Sequence, residues 1–69
     1  MSWNTLDPER QAFITSTLTP RQLEILRLRI DGHSFQRIAD ALNLDEATIR
    51  GHHKRAKRRL ENAAQEQTT

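Results

Sequence analysis

Apolar residues along this chain recur three or four positions apart, the spacing of a buried helix face, and nowhere alternate in the manner of a strand. Four segments carry the pattern. Asp7-Pro8 reads as an N-cap followed by proline at the first helical position, and predicts a short helix over 8–16 with Ala12, Phe13 and Ile14 as its apolar content. Thr19-Pro20-Arg21-Gln22 is a sharper start. Thr19 can cap, Pro20 takes the first position, Gln22 completes a capping box, and Leu18 and Leu23 are spaced as a hydrophobic staple. The helix it opens is expected to run to about residue 31, with Leu23, Leu26 and Ile30 on one face and Ile25 and Leu28 widening the stripe. Gly32 then closes it in a left-handed cap.

Ser34 begins a third helix whose buried stripe is Ile38, Ala39 and Leu42. Asn43 ends it, because asparagine tolerates the left-handed conformation better than most residues. Asp45 is the next N-cap, with Leu44 and Ile49 as a second staple. The fourth helix is expected over 46–62, and its inward face reads Ile49, His53, Ala56, Leu60. Residues 63–69 hold no aromatic and no large apolar side chain, so they are expected to form a disordered polar tail. The pattern predicts one all-α domain over 1–62, a small four-helix helix-turn-helix fold: a short N-terminal helix and a three-helix core whose last helix is long. The break Asn43-Leu44-Asp45 has the length of a helix-turn-helix corner, and Ala39 is small where the two helices must approach.

A plain helical bundle would share that apolar pattern; the charge distribution separates the two readings. Residues 1–49 hold five basic and seven acidic side chains. Residues 50–60 hold Arg50, Lys54, Arg55, Lys57, Arg58 and Arg59 and no acid. One or two cations at a helix C-terminus would answer the helix dipole. Six within one stretch of the helix after a tight turn point to a polyanion.

Composition narrows the classes further. With 69 residues, 35% of them hydrophobic, the chain buries only about 60% of its unfolded surface, and a deep enclosed active site is not expected. The absence of cysteine excludes disulfides and thiolate-bound metals. No apolar run approaches the roughly 20 residues that span a bilayer, and no secretory signal opens the sequence, so a cytoplasmic protein without membrane contact is expected. No paired carboxylates, nucleophile–base pair or phosphate loop indicates an enzyme, and nothing calls for a cofactor. His52 and His53 point about 100° apart on a helix and have no acid one turn away, so no metal site is expected. Burial of His53 would lower its pKa and make the fold sensitive to acid. Trp3 and Leu6 are expected to cap the core.

With Ile49, His53, Ala56 and Leu60 inward, Glu46, Ala47, Arg50, Gly51 and Lys54 point outward near the N-terminal half of the fourth helix. That half enters the major groove of DNA in this motif, so these five are the candidate base-facing positions. Arg50 is the best base reader, since its planar fork matches the two acceptors of guanine. Lys54 can reach a base or a phosphate, and Glu46 can accept from cytosine or reject wrong sites. Gly51 lets the backbone lie close to the groove floor; otherwise it is a weak spot costing about 1 kcal/mol against alanine. Arg55, Lys57, Arg58 and Arg59, with Thr48 and His52, are candidate phosphate contacts, as are Ser34, Gln36 and Arg37 at the start of the third helix.

These residues resemble two related families. Leu18-Thr19-Pro20-Arg21-Gln22, Glu24-Ile25-Leu26 and Leu28-Arg29 are similar to the opening of region 4 of bacterial sigma factors. Gly32, Ser34, Ile38-Ala39, Ala41-Leu42, Thr48-Ile49-Arg50, Arg55-Ala56 and Leu60 continue the likeness over about 8–61. LuxR-type response-regulator domains share that core, including a histidine at the place of His52. A helix ahead of Leu18 and a chain that stops after the basic helix favour the sigma-like version. The resemblance implies promoter-type recognition of double-stranded DNA by the fourth helix and a dock onto RNA polymerase. Arg37 stands where both families commonly place an acid, and His53 where leucine is typical. No promoter-melting region is present, so the chain is not expected to act as a sigma factor alone.

Three classes of function follow. The first is a stand-alone transcriptional regulator, a repressor or phage-type control protein. The second is a protein-interaction module that engages polymerase or a sigma factor through Arg21, Arg27 and Arg29. The third, an RNA-binding basic helix, is the weakest, because Trp3, Phe13 and Phe35 all lie outside the basic block. A homodimer through the helix around Phe13 or through Leu60, Ala63 and Ala64 stays open.

Overall fold

Helix ends set the path of this chain. In the computed structural model, which describes residues 2–67, a single 3-10 turn (Trp3–Thr5) precedes α1 (Pro8–Thr17), α2 (Pro20–Ile30), α3 (Phe35–Leu42) and α4 (Glu46–Gln67). Asp7 caps α1 through the Glu9 N–H at 3.4 Å. The capping box at α2 is closed both ways: the Gln22 N–H donates to Thr19 Oγ1 at 3.3 Å, and the Thr19 N–H to Gln22 Oε1 at 3.1 Å. At α3 the Arg37 N–H donates to Ser34 Oγ at 3.1 Å. Among the described residues there is no strand, and no helix is long and apolar enough to cross a membrane.

The two turns of the helix-turn-helix unit close with the same hydrogen-bond pattern. After α2, Gly32 adopts φ 102°, its N–H donates to the Arg29 carbonyl, and the His33 N–H donates to the Leu28 carbonyl. After α3, Asn43 adopts φ 56°, its N–H donates to the Asp40 carbonyl, and the Leu44 N–H donates to the Ala39 carbonyl. Both are Schellman closures, which require one left-handed residue. Glycine meets that need without cost in the first, and asparagine in the second.

The core divides into two clusters joined by α2 and α4. Ile25, Ile38, Ala39 and Ile49 tie α2, α3 and α4 together, with Leu28, Phe35, Leu42 and Leu44 packed around them. Trp3, Ile14, Leu18, Leu26 and Ala56 form the second cluster, flanked by Leu6, Phe13, Leu23, Ile30 and Leu60. Adjacent residues of α2, Ile25 and Leu26, therefore face different clusters, which is why its apolar stripe is wide. Trp3 does cap the core. Its backbone N–H donates to Asp31 Oδ1 at 2.7 Å, its backbone carbonyl accepts from Gln11 Nε2 at 2.7 Å, and the Arg27 guanidinium lies 5.0 Å from the ring centroid.

The expected tail needs correction. α4 continues past Asn62 to Gln67, so 63–67 are helical; 68–69 lie outside the described residues. Ala63, Ala64, Gln65, Glu66 and Gln67 are all strong helix formers, and extending an existing helix avoids the nucleation step.

The Asn43 closure is open to direct test. Asn43→Ala should lower stability by about 1 kcal/mol, whereas Asn43→Gly should leave it unchanged or raise it. Equal denaturation midpoints for the two variants would show that the corner does not need its left-handed residue.

Candidate nucleic-acid interface

The outer face of α4 is set by what the helix buries. Ile49 and Ala56 are completely buried, and His53 and Leu60 are half-buried on the same side. Successive residues turn by about 100°, so Ala47, Lys54 and Arg58 emerge opposite, with Arg50 and Lys57 on the adjoining flank, and all five are exposed. Gly51, half-buried, also lies opposite, and Glu46, half-buried, lies at the flank beside Arg50. The five candidate base-facing positions thus share one face in the N-terminal half of α4, directly after the Asn43 corner.

Arg50 is not loose on this face. Its Nε donates to Glu46 Oε2 at 3.1 Å, one turn earlier, and its guanidinium carbon lies 4.7 Å from the centroid of the Phe35 ring. Arg29 approaches the same ring at 4.3 Å and donates from Nη1 to the His33 carbonyl at 3.0 Å. A Cβ added at Gly51 would meet only the tip of the Arg55 side chain, at 3.6 Å, so nothing inside the protein requires glycine there.

The basic residues further along α4 divide between two shallow grooves. Lys54, Lys57, Arg58 and Glu61 line one; Gln22, Arg55, Arg58, Arg59 and Asn62 line the other, beside the start of α2. Arg59 is turned to a structural task, since its Nε donates to the Thr17 carbonyl at 2.7 Å and ties the end of α1 to α4. Thr48, exposed, and His52, half-buried, lie on the flank of α4 away from Arg50. Ser34, Gln36 and Arg37 are exposed at the start of α3, with the Ser34 hydroxyl engaged as its N-cap.

Phe35 joins the site although no local sequence signal places it there. Nothing in local periodicity connects it to Arg50; the two meet only because α3 packs on α4. His53 belongs to the same group, its ring meeting Phe35 in a T-shaped contact at 5.1 Å and 73°. Burial pushes the His53 pKa below the ordinary 6.5, and the charges of Lys57 and Arg29 push it the same way.

The folded protein therefore takes up this proton less readily than the unfolded chain. The stability from neutral His53 is complete above about pH 6.5 and declines as pH falls toward the lower folded value. Urea midpoints should fall between pH 7 and pH 5, and His53→Leu should remove that part of the decline. An unchanged pH profile in the variant would locate the acid sensitivity elsewhere.

Residues 16–68 match the profile of a family described as bacterial regulatory proteins, luxR family. No curated protein and no solved structure matches the chain. Of the two families its motifs resemble, the match falls to the LuxR type, against the leaning toward sigma region 4 that the preceding helix gives. The match starts at the end of α1, so the Trp3 turn and most of α1 lie outside it. The chain belongs to the luxR family of bacterial regulatory proteins, and it carries that family's helix-turn-helix DNA-binding domain.

Proposed function

We propose that this protein is a sequence-specific regulator of transcription, a repressor or phage-type control protein, that reads the major groove of duplex DNA with the N-terminal half of α4. One observation carries the reading. Ala47, Arg50, Gly51 and Lys54, with Glu46 at the edge beside Arg50, share the outer face of α4 away from Ile49 and Ala56, immediately after the tight corner. Arg50 reads a guanine through its fork, and Glu46 accepts from a cytosine amino group or excludes competing sites. Lys54 contacts a base edge or an adjacent phosphate. Lys57, Arg58 and Arg55 meet phosphates along the flanks, with Ser34, Gln36 and Arg37 on the other side of the groove. Thr48 and His52 are edge contacts to the same backbone. Arg59, committed to Thr17, contributes charge more than a directed bond.

A second reading makes α2 a docking face for RNA polymerase or a sigma factor. A shallow groove lined by Pro20, Leu23, Glu24, Arg27, Leu28 and Asp31 favours it. The three arginines it would use are held within the chain as Arg50 is: Arg21 by Glu24, Arg27 over Trp3, and Arg29 by His33 and Phe35.

Selection from a randomised duplex pool at near-physiological salt tests the first reading. An enriched palindrome means a dimer on two half-sites, and a single enriched half-site means a monomer or a missing partner. On the selected site Arg50→Ala should cost about 1–3 kcal/mol and relax one position. Arg58→Ala should weaken all sequences alike and reduce the salt slope by about 1. Retention that merely falls with salt, without enrichment, would turn attention to α2.

Gly51→Ala separates folding from binding. It should stabilise α4 by about 1 kcal/mol, because the added methyl meets no obstacle. It should nonetheless weaken duplex binding if the backbone lies against the groove floor. Unchanged affinity would assign Gly51 no part in the interface.

A further inference from the structure

Phe35 occupies the first position of α3 and is half-buried against the cluster formed by Ile25, Ile38, Ala39 and Ile49. An aromatic ring in that place could serve packing alone. Its outer surroundings are unusual for a packing residue. Two guanidinium groups, Arg29 at 4.3 Å and Arg50 at 4.7 Å, lie within cation–π range of its centroid, and His53 meets it in an edge contact.

These contacts matter because of what Arg50 must do. A long arginine side chain samples many rotamers, and a bidentate contact to a base would have to remove that freedom. Here two different groups already restrict it. Glu46 accepts from Nε, and the Phe35 ring faces the guanidinium. The carboxylate engages Nε alone among the contacts observed, so the terminal nitrogens are the pair that would meet the O6 and N7 acceptors of guanine. Glu46 is itself a flexible, partly exposed side chain bonded only to Nε, so it tethers Arg50 without setting the plane of the guanidinium. Phe35 lies on α3 and is anchored in the core, so it fixes the guanidinium relative to the domain.

We infer that Phe35 is a specificity-determining positioning residue, a platform on α3 that aims the Arg50 guanidinium at a guanine. The inference rests on the base-reading role proposed above for Arg50. Phe35 touches no base itself; it converts a mobile cation, able to satisfy any phosphate, into a directed fork. Loss of the ring leaves the charge of the interface unchanged, so attraction to DNA in general survives while discrimination falls.

The test compares the ratio of affinities for the selected duplex and a random duplex in four proteins: wild type, Phe35→Leu, Arg50→Ala and the double variant. Phe35→Leu should reduce that ratio about two- to tenfold, the range of an exposed to partly desolvated cation–π contact. Affinity for random duplex should stay the same, and Phe35→Tyr should restore the ratio. In the Arg50→Ala background Phe35→Leu should change the ratio no further. Equal weakening of both duplexes, or additive effects in the double variant, would overturn the inference while leaving the base-reading role intact. An Arg50→Ala protein that keeps full discrimination would instead remove the role of Arg50, and that of Phe35 with it. Should Phe35→Leu fail to fold, the free wild-type protein decides the matter by NMR. Ring-current shifts of the Arg50 side-chain protons to high field are expected, and random-coil positions for those protons would overturn the platform.

Discussion

The outer face of α4 is wherever the burial of Ile49 puts it. Ile25, Ile38 and Ile49, one from each of α2, α3 and α4, are the largest fully buried side chains, and they meet in a single cluster. Burying each is worth about 1.5–3 kcal/mol, a large share of the marginal stability available to so small a domain. A helix is a rigid cylinder, so fixing the rotation of α4 at Ile49 also fixes the direction of Arg50 and Lys54.

A second constraint comes from the corner between α3 and α4. Leu42 and Leu44 both pack on the isoleucine cluster, yet α3 ends and the chain turns between them. Only a left-handed residue allows that in so few positions, and Asn43 supplies it. The corner brings α3 close enough to α4 for Phe35 to reach both Arg50 and His53. Burial in that group, and then the neighbouring charges of Lys57 and Arg29, oppose a positive charge on His53. Glu46 on Arg50 and the His33 carbonyl on Arg29 offset part of that repulsion.

The N-terminal segment serves the same frame from outside the family's matched region. Trp3 is held by Asp31 and Gln11 and covered by Arg27, and Arg59 ties the end of α1 to α4. These contacts extend the core around Ala56 and Leu26 and brace the C-terminal half of the long helix. One cation of the basic block is thereby turned to structure, a division of labour that charge counting along the sequence does not reveal.

Features that depend on near neighbours are legible along the chain. Pro8, Pro20, the Thr19–Gln22 box, Gly32 and Asn43 mark the helix boundaries because capping and left-handed closure depend on neighbours within a few positions. The spacing of Ile49, Ala56 and Leu60 fixed which side of α4 turns inward, and hence the candidate face around Arg50. The end of α4 is not legible from the apolar pattern: 63–67 lack large apolar residues, yet helix propensity and extension from an existing helix suffice to keep them helical. Tertiary structure alone decided the rest: that Trp3 bonds to Asp31, that Arg59 reaches Thr17, and that Phe35 stands against Arg50 and His53. Each of these joins residues on different elements. Their meeting depends on how helices pack on one another, and no periodicity within a single segment encodes that.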